Sequence, residues 1–284
     1  AAGSTLADGR RVPLVYDTLE LWSGRPREHR PTPLQDRRER RLELRQGDRA
    51  DAVLTVGDGV ADALHGRYGW DHVSVVRNTF PAAARPPTPP DAPAGLVYPG
   101  RLAADRELET VSAATRDPGL PLPVTLVGPA DETWRAGFDP GLATVRAPVG
   151  TDELTDLLTR AGLALVTHSD AWENHRLALP NKLFHAVRAG VPVVATDVGE
   201  LARTVRRHDL GTLYRPGDPH DLARAVREAV DRFGELRDAV AAAAPALSWE
   251  QDEAVLLGVY RRLAARPGHE GDRDTPPPDA PARA

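Results

Sequence analysis

The chain has 284 residues, of which 41% are hydrophobic and 27% charged, with Lys+Arg 36 against Asp+Glu 41 and a net charge of -5. That balance excludes a wholly disordered chain and a generally basic nucleic-acid binder. The lack of cysteine excludes disulfides, thiolate metal sites and cysteine nucleophiles.

No apolar run approaches the roughly 18 residues of a membrane-spanning helix, and no signal-peptide pattern is read at the start, so the cytoplasm is the expected compartment. Methionine is absent even at position 1, which leads to the expectation of a processed chain or a piece of a longer product. The 36 basic residues comprise 35 arginines and one lysine, Lys182, an arginine excess typical of GC-rich coding.

In chain order, VPLVYD (12–17) reads as a strand, followed by a charged helix from about Leu34 to Gln46. A strand AVLTVG (52–57), a helix through Ala61 to Leu64 and a strand HVSVVRN (72–78) complete residues 1–80. Three strands make a thin sheet, so further strands are expected upstream, and 1–80 reads as the second half of a Rossmann-like domain. Between Arg25 and Arg49 nine arginines face five acidic residues. Their interleaving reads as a salt-bridged solvent helix, the alternative being a face toward an anionic membrane.

Residues 81–94 hold six prolines and read as a semi-rigid linker. Short apolar runs then alternate with helical periodicity: GLVYPG (95–100), VTLVGP (124–129), LALVTHS (163–169) and VPVVATD (191–197), with weaker strands at 143–149 and 211–217. Thr151 precedes Leu154, Leu157, Leu158 and Ala161 at helical spacing. Asp218 caps a helix with Pro219 at its first position. Alternation of this kind predicts a doubly wound α/β domain with a parallel sheet over 95–265, binding its ligand beyond the carboxyl ends of the strands. Residues 266–284, rich in proline, read as a disordered tail.

Two segments carry chemistry. In LPNKLFHAVRAGVPVVATD (179–197), Leu183, Phe184 and Val187 give the buried side of a helix that Gly190 ends, with Asn181, Lys182 and His185 on the other side. A cation in the first turn opposes the helix dipole by roughly 0.3–1 kcal/mol, and a bound anion reverses that sign. In YPGRLAADRELE (98–109), Gly100 leaves a strand where the backbone passes close to a ligand, and Arg101 and Arg106 flank the next helix start, which suits a diphosphate. The plain alternatives are a solvated lysine and ordinary surface arginines.

His168, Asp170, Glu173 and His175 lack the spacing of a metal site and read as loop polar groups beside the cleft. The DRD at 272–274 lies in the tail. No GxSxG elbow and no GxGxxG turn occurs, which argues against a serine hydrolase and a dinucleotide-binding oxidoreductase.

The order YPGRL, LPNKLFHAVRAGVPVVATDVGEL and GTLYRPGDPHDLARAV resembles the nucleotide-sugar half of GT-B-fold glycosyltransferases, family 4 in particular and its PNK-type subgroup. SWEQDEAVLLGVYRRL is similar to the closing helices of that domain, and VYDTLELW, ADAVLTVGDGVADAL and VSVVRNTF look like the second half of its acceptor-side domain. The resemblance implies a GT-B-like pair of Rossmann-like domains with the donor between them. It also implies transfer of a sugar from a nucleotide diphosphate-sugar to a saccharide or lipid-linked acceptor, with retention, in bacterial cell-envelope or exopolysaccharide synthesis. Arg101, Arg106 and Lys182 match the residues that neutralise the leaving group, and Gly100, Ser169, Leu179, Pro180, Asn181 and His185 fall around the donor, His185 where relatives carry a ribose-binding glutamate.

No metal or cofactor is implied, the nucleotide sugar being substrate. The partners implied are donor and acceptor, no nucleic acid, and a peripheral association with the inner face of the cytoplasmic membrane. Three departures stand out: Leu177, aligned with a frequent glutamate; Leu19, where relatives often carry a histidine; and the strand and glycine-rich turn expected to open the acceptor-side domain, which are not among these residues, so that a fragment inactive on its own is one expectation. They keep open a non-catalytic nucleotide-sugar-binding or regulatory protein, and more distantly a nucleotide-sugar epimerase.

Overall fold

The computed structural model describes residues 12–25, 29–82, 88–104 and 106–265. The expected tail, its DRD and the middle of the proline-rich linker lie outside the described residues.

The first sheet holds three parallel strands in sequence order, β1 (Val15–Thr18), β2 (Ala52–Thr55) and β3 (Val73–Val75). Strand β1 starts later than the apolar run suggests. Proline at 13 cannot donate to a ladder, and the Leu14 amide is taken by the Asp51 carboxylate at 2.9 Å. The helix Pro33–Asp48 opens on a reciprocal cap between Thr32 and Gln35, and only part of its charge faces solvent. Its Glu43 is buried, accepting from the Trp22 amide at 2.8 Å and the Tyr68 hydroxyl at 2.7 Å.

The second sheet is six-stranded and parallel: β4 (Gly95–Pro99), β5 (Val124–Val127), β6 (Thr144–Arg146), β7 (Gly162–Val166), β8 (Val193–Thr196) and β9 (Gly211–Tyr214). The spatial order is β6-β5-β4-β7-β8-β9. Alternation along each strand splits the core between two faces, with Val97, Ala164, Val166, Val193 and Ala195 on one and Leu96, Tyr98, Leu163, Leu165 and Val194 on the other. Helices cover both faces, which is why these strands are apolar throughout. Asp218 accepts from the Asp221 amide and Pro219 starts the helix Pro219–Asp231, as the sequence predicts.

The helix Trp249–Ala264 returns to the first sheet, where Val259 and Leu263 pack on Ala52 and Leu54. Its Asp252 is buried and receives the Thr79 hydroxyl at 2.7 Å and the Arg77 guanidinium at 3.0 Å. The two sheets also meet through the loop after β7, where Arg67 pairs with Glu173 at 2.5 Å. The chain is thus an α/β protein with two parallel Rossmann-like sheets.

Candidate functional site

The strand order reverses direction between β4 and β7, which leave in opposite senses and open a crevice at their carboxyl ends. In doubly wound sheets this is where ligands bind. Four of the predicted residues, Gly100, Arg101, Arg106 and Ser169, sit on the segments that leave these two strands.

Two glycines let the crevice close. Gly128 has φ 153°, and a Cβ there would lie 2.0 Å from the Gly100 carbonyl oxygen. A Cβ on Gly100 would stand 3.2 Å from Cδ of Lys182, so the lysine stem runs directly against the strand end. Arg101 is exposed and 3.7 Å from Asp131, and it lines a cavity of about 550 Å³ together with Arg106 and Trp134. The Arg106 carbonyl accepts the Thr167 hydroxyl from the end of β7 at 2.6 Å. Next to it, Glu107 adopts the left-handed conformation with φ 59°, a region that ordinary residues visit only where surrounding structure imposes it. Its carboxylate accepts from the Gly217 amide at 2.8 Å, which holds the bend.

Lys182 lies in the first turn of the helix Asn181–Arg188, whose cap residue is Pro180. It is buried, contrary to a solvated polar face, with Nζ 5.0 Å from the centroid of the Tyr98 ring. Burial, with Arg106 adding like charge, pulls its pKa down to about 7. Tyr98, whose hydroxyl donates to the Arg101 carbonyl at 3.0 Å, is pushed up to about 12 by burial. The strand GLVYPG carried the signal for Tyr98 in its alternation, since Leu96 and Tyr98 share a face.

Asn181 is exposed, and Leu179 is buried beside Gly57 of the first sheet's domain. Leu183, Phe184 and Val187 are buried as expected. His185 packs on Phe80 with ring centroids 4.2 Å apart, and burial, then Arg188, takes its pKa down to about 4. Its Nδ1 has no hydrogen-bond partner among the described residues.

The polar groups after β7, read as loop residues beside the cleft, are divided between buried and exposed positions, and Glu173 and His175 belong to a short helix, Glu173–Leu177. His168 and His175 are buried, Asp170 is exposed, and Glu173 is paired with Arg67. Ser169 and His175 share a hydrogen bond of 2.8 Å. Burial first, then Lys182, His175 and Arg106, depresses the His168 pKa to about 3. Among the described residues no cluster of His, Asp or Glu could hold a metal ion. Asn174, for which the sequence held no periodic signal, joins the two sheets: its amide pairs with the backbone of Leu21 and donates to Glu20 at 3.1 Å. Leu19, directly after β1, stands 61% exposed.

A larger cavity, of about 790 Å³, lies against the helix Asn181–Arg188, between Phe80, Phe184, Arg188 and Leu247. None of the residues predicted for the site lines it.

Residues 94–232 match the family model described as glycosyl transferases group 1. The chain is 31% identical over 161 residues to a D-inositol 3-phosphate glycosyltransferase of Rhodococcus erythropolis, covering 53% of this chain and 36% of that protein. It is 28% identical over 196 residues to a glycogen synthase of Mycobacterium tuberculosis, covering 64% of this chain and 46% of that one. The chain thus spans less than half the length of these relatives. Among solved structures, Anabaena HepE in complex with UDP superposes with TM-score 0.72 at 17% identity, over 92% of this chain and 75% of that one. A sucrose-phosphate synthase from Thermosynechococcus elongatus does so with TM-score 0.67 at 20% identity, over 88% and 68%. These two show the same fold.

Proposed function

We propose, from the match of residues 94–232 to the group 1 glycosyltransferase model, that the chain binds a nucleotide diphosphate-sugar and transfers its sugar to a saccharide or lipid-linked acceptor. One observation carries this reading: Lys182 is a buried cation beside Arg106, with its charge disfavoured by both burial and repulsion. A bound diphosphate relieves both, since two negative phosphates at the Gly100 turn supply the missing counter-charge.

The chemistry follows from where charge develops. As the bond from sugar to diphosphate breaks, negative charge grows on the departing oxygen, and Arg106 and Arg101, with Lys182 in its protonated form, stand at the crevice to receive it. Gly100 lets backbone approach the phosphates, and Asn181 at the helix start offers free amides. His185, Ser169, Leu179 and Pro180 complete the donor surroundings. Retention of configuration, a bacterial envelope or exopolysaccharide role and peripheral membrane contact extend this reading from the family resemblance. Among the described residues no helix is long and apolar enough to cross a membrane.

Leu19 favours a second reading, a binding protein without turnover, because an exposed leucine supplies no proton donor or acceptor on the loop opposite the donor.

Thermal shifts with UDP, GDP and ADP test the site. At a ligand concentration of 100 Kd, one nucleotide is expected to stabilise the wild type by about 2.7 kcal/mol, with the response lost in Lys182→Ala and Arg106→Ala. An undiminished response in both variants overturns the diphosphate site. Product formation from the matching nucleotide sugar separates the enzyme from the binding protein.

A further inference from the structure

The two walls of the crevice differ in charge. On the β4 side and the facing helix stand Arg101, Arg106 and Lys182. On the β7 side stand Thr167, His168 and Ser169, none of which carries a fixed charge. A nucleotide sugar has the same division, a doubly charged diphosphate joined to an uncharged polyol.

His168 is the informative member of the second wall. It is 6% exposed, its backbone amide donates to the Thr196 hydroxyl at 2.8 Å, and its ring stands edge-on to His175 at 5.1 Å. Its Nδ1 is buried and has no hydrogen-bond partner among the described residues. Native chains satisfy nearly all buried polar atoms, so an unpaired one beside a ligand crevice points to a group supplied by the ligand. Burial first, then Lys182, His175 and Arg106, hold the ring neutral. A neutral imidazole offers one donor and one acceptor, which matches a hydroxyl group, itself both.

We propose that His168 hydrogen-bonds a hydroxyl of the sugar carried by the donor and so helps determine which sugar is accepted. This rests on the nucleotide-sugar reading of the site and goes beyond it by assigning the uncharged wall. The hydrogen bond from Ser169 holds the His175 ring that His168 meets edge-on.

The experiment compares affinities by calorimetry for UDP, GDP and ADP and for their glucose, galactose and N-acetylglucosamine conjugates, in the wild type, His168→Leu and His168→Gln. In His168→Leu the best conjugate is expected to bind about tenfold more weakly, the scale of one hydrogen bond of about 1.4 kcal/mol. The bare nucleotide diphosphate is expected to keep its affinity within about twofold, and His168→Gln, which retains a donor and an acceptor, to recover part of the loss. Leucine fills a similar volume without the unpaired nitrogen, so the ligand-free melting temperature is expected to hold or rise.

Equal losses for nucleotide and conjugate would place the ring on phosphate or ribose and overturn the proposal. So would unchanged affinities, or a marked fall in ligand-free stability of both variants, which marks a structural role. If no nucleotide binds the wild type, the nucleotide-sugar reading itself falls and this inference with it.

Discussion

The side-chain amide of Asn174 is paired with the backbone of Leu21 in both directions. Its Oδ1 accepts the Leu21 N–H at 3.1 Å and its Nδ2 donates to the Leu21 carbonyl at 2.9 Å, across 153 residues of chain. An amide matching a peptide group in this way fixes the loop after β1 against the short helix Glu173–Leu177 that follows β7. Gly24 leaves room for it, since a Cβ there would lie 2.7 Å from Oδ1. Asn174→Ala strands two polar groups of a buried residue and is expected to cost about 1–3 kcal/mol in urea denaturation. Gly24→Ala should loosen the same junction, and a stability within about 0.5 kcal/mol of wild type for both variants would count against the junction.

With Lys182 on the proposed diphosphate, nucleotide binding is expected to be proton-linked. Its pKa is about 7 in the free protein, so at pH 8 most molecules carry a neutral amine there, and a bound diphosphate favours the ammonium. Binding at pH 8 is therefore expected to take up a proton, and affinity to weaken as pH rises from 7 to 9. Calorimetry in buffers of different ionisation enthalpy reads the uptake directly, and Lys182→Arg, always charged, should abolish it. The sign for folding follows: a lysine depressed from its ordinary value disfavours the folded state fully below pH 7, and the penalty shrinks as pH rises toward 10.5.

Gly128 is expected to tolerate no side chain. Its φ of 153° and the 2.0 Å approach of a Cβ to the Gly100 carbonyl mean that Gly128→Ala must displace the turn bearing Gly100 and Arg101. Overpacking of this kind costs about 1–3 kcal/mol. The nucleotide response should weaken with it, whereas Gly66→Ala, where a Cβ meets nothing within 4 Å, serves as the control.

Asp252 is the buried partner of Arg77, with only 3% of its side chain exposed. Asp252→Ala leaves Arg77 without its carboxylate and Thr79 without its acceptor, and is expected to cost about 3–5 kcal/mol. Chemical denaturation reads the loss, and fluorescence of Trp249 should report detachment of the closing helix at lower denaturant.

Much of the second sheet was legible because both of its faces are covered: GLVYPG, LALVTHS and VPVVATD read as strands without needing to know what lies above them. The edge strand β6 was read longer than it is, since only Thr144–Arg146 finds a partner and two of the three residues are exposed. The helix at 219 was legible from the cap at Asp218 and Pro219 and from the apolar stripe of Leu222, Ala225, Val226 and Ala229 that follows it. Pairings were not. Nothing local says that Lys182 lies under Tyr98 or that His185 meets Phe80, because burial of a polar residue depends on what the fold brings from elsewhere. His168 sits in a loop and Asn174 in the five-residue helix Glu173–Leu177, too short to show a period, and the surroundings of both include chain segments far away in sequence.

The helix Trp249–Ala264 also orders events in time. Arg77 and Asp252 are separated by 175 residues, which a ribosome takes about 10–35 s to add at roughly 5–20 residues per second. Throughout that interval Ala52 and Leu54 lack the Val259 and Leu263 side chains that cover them. A nascent chain paused within the second sheet therefore presents an open apolar face, a target for chaperones and a liability for aggregation that vanishes once the last helix emerges.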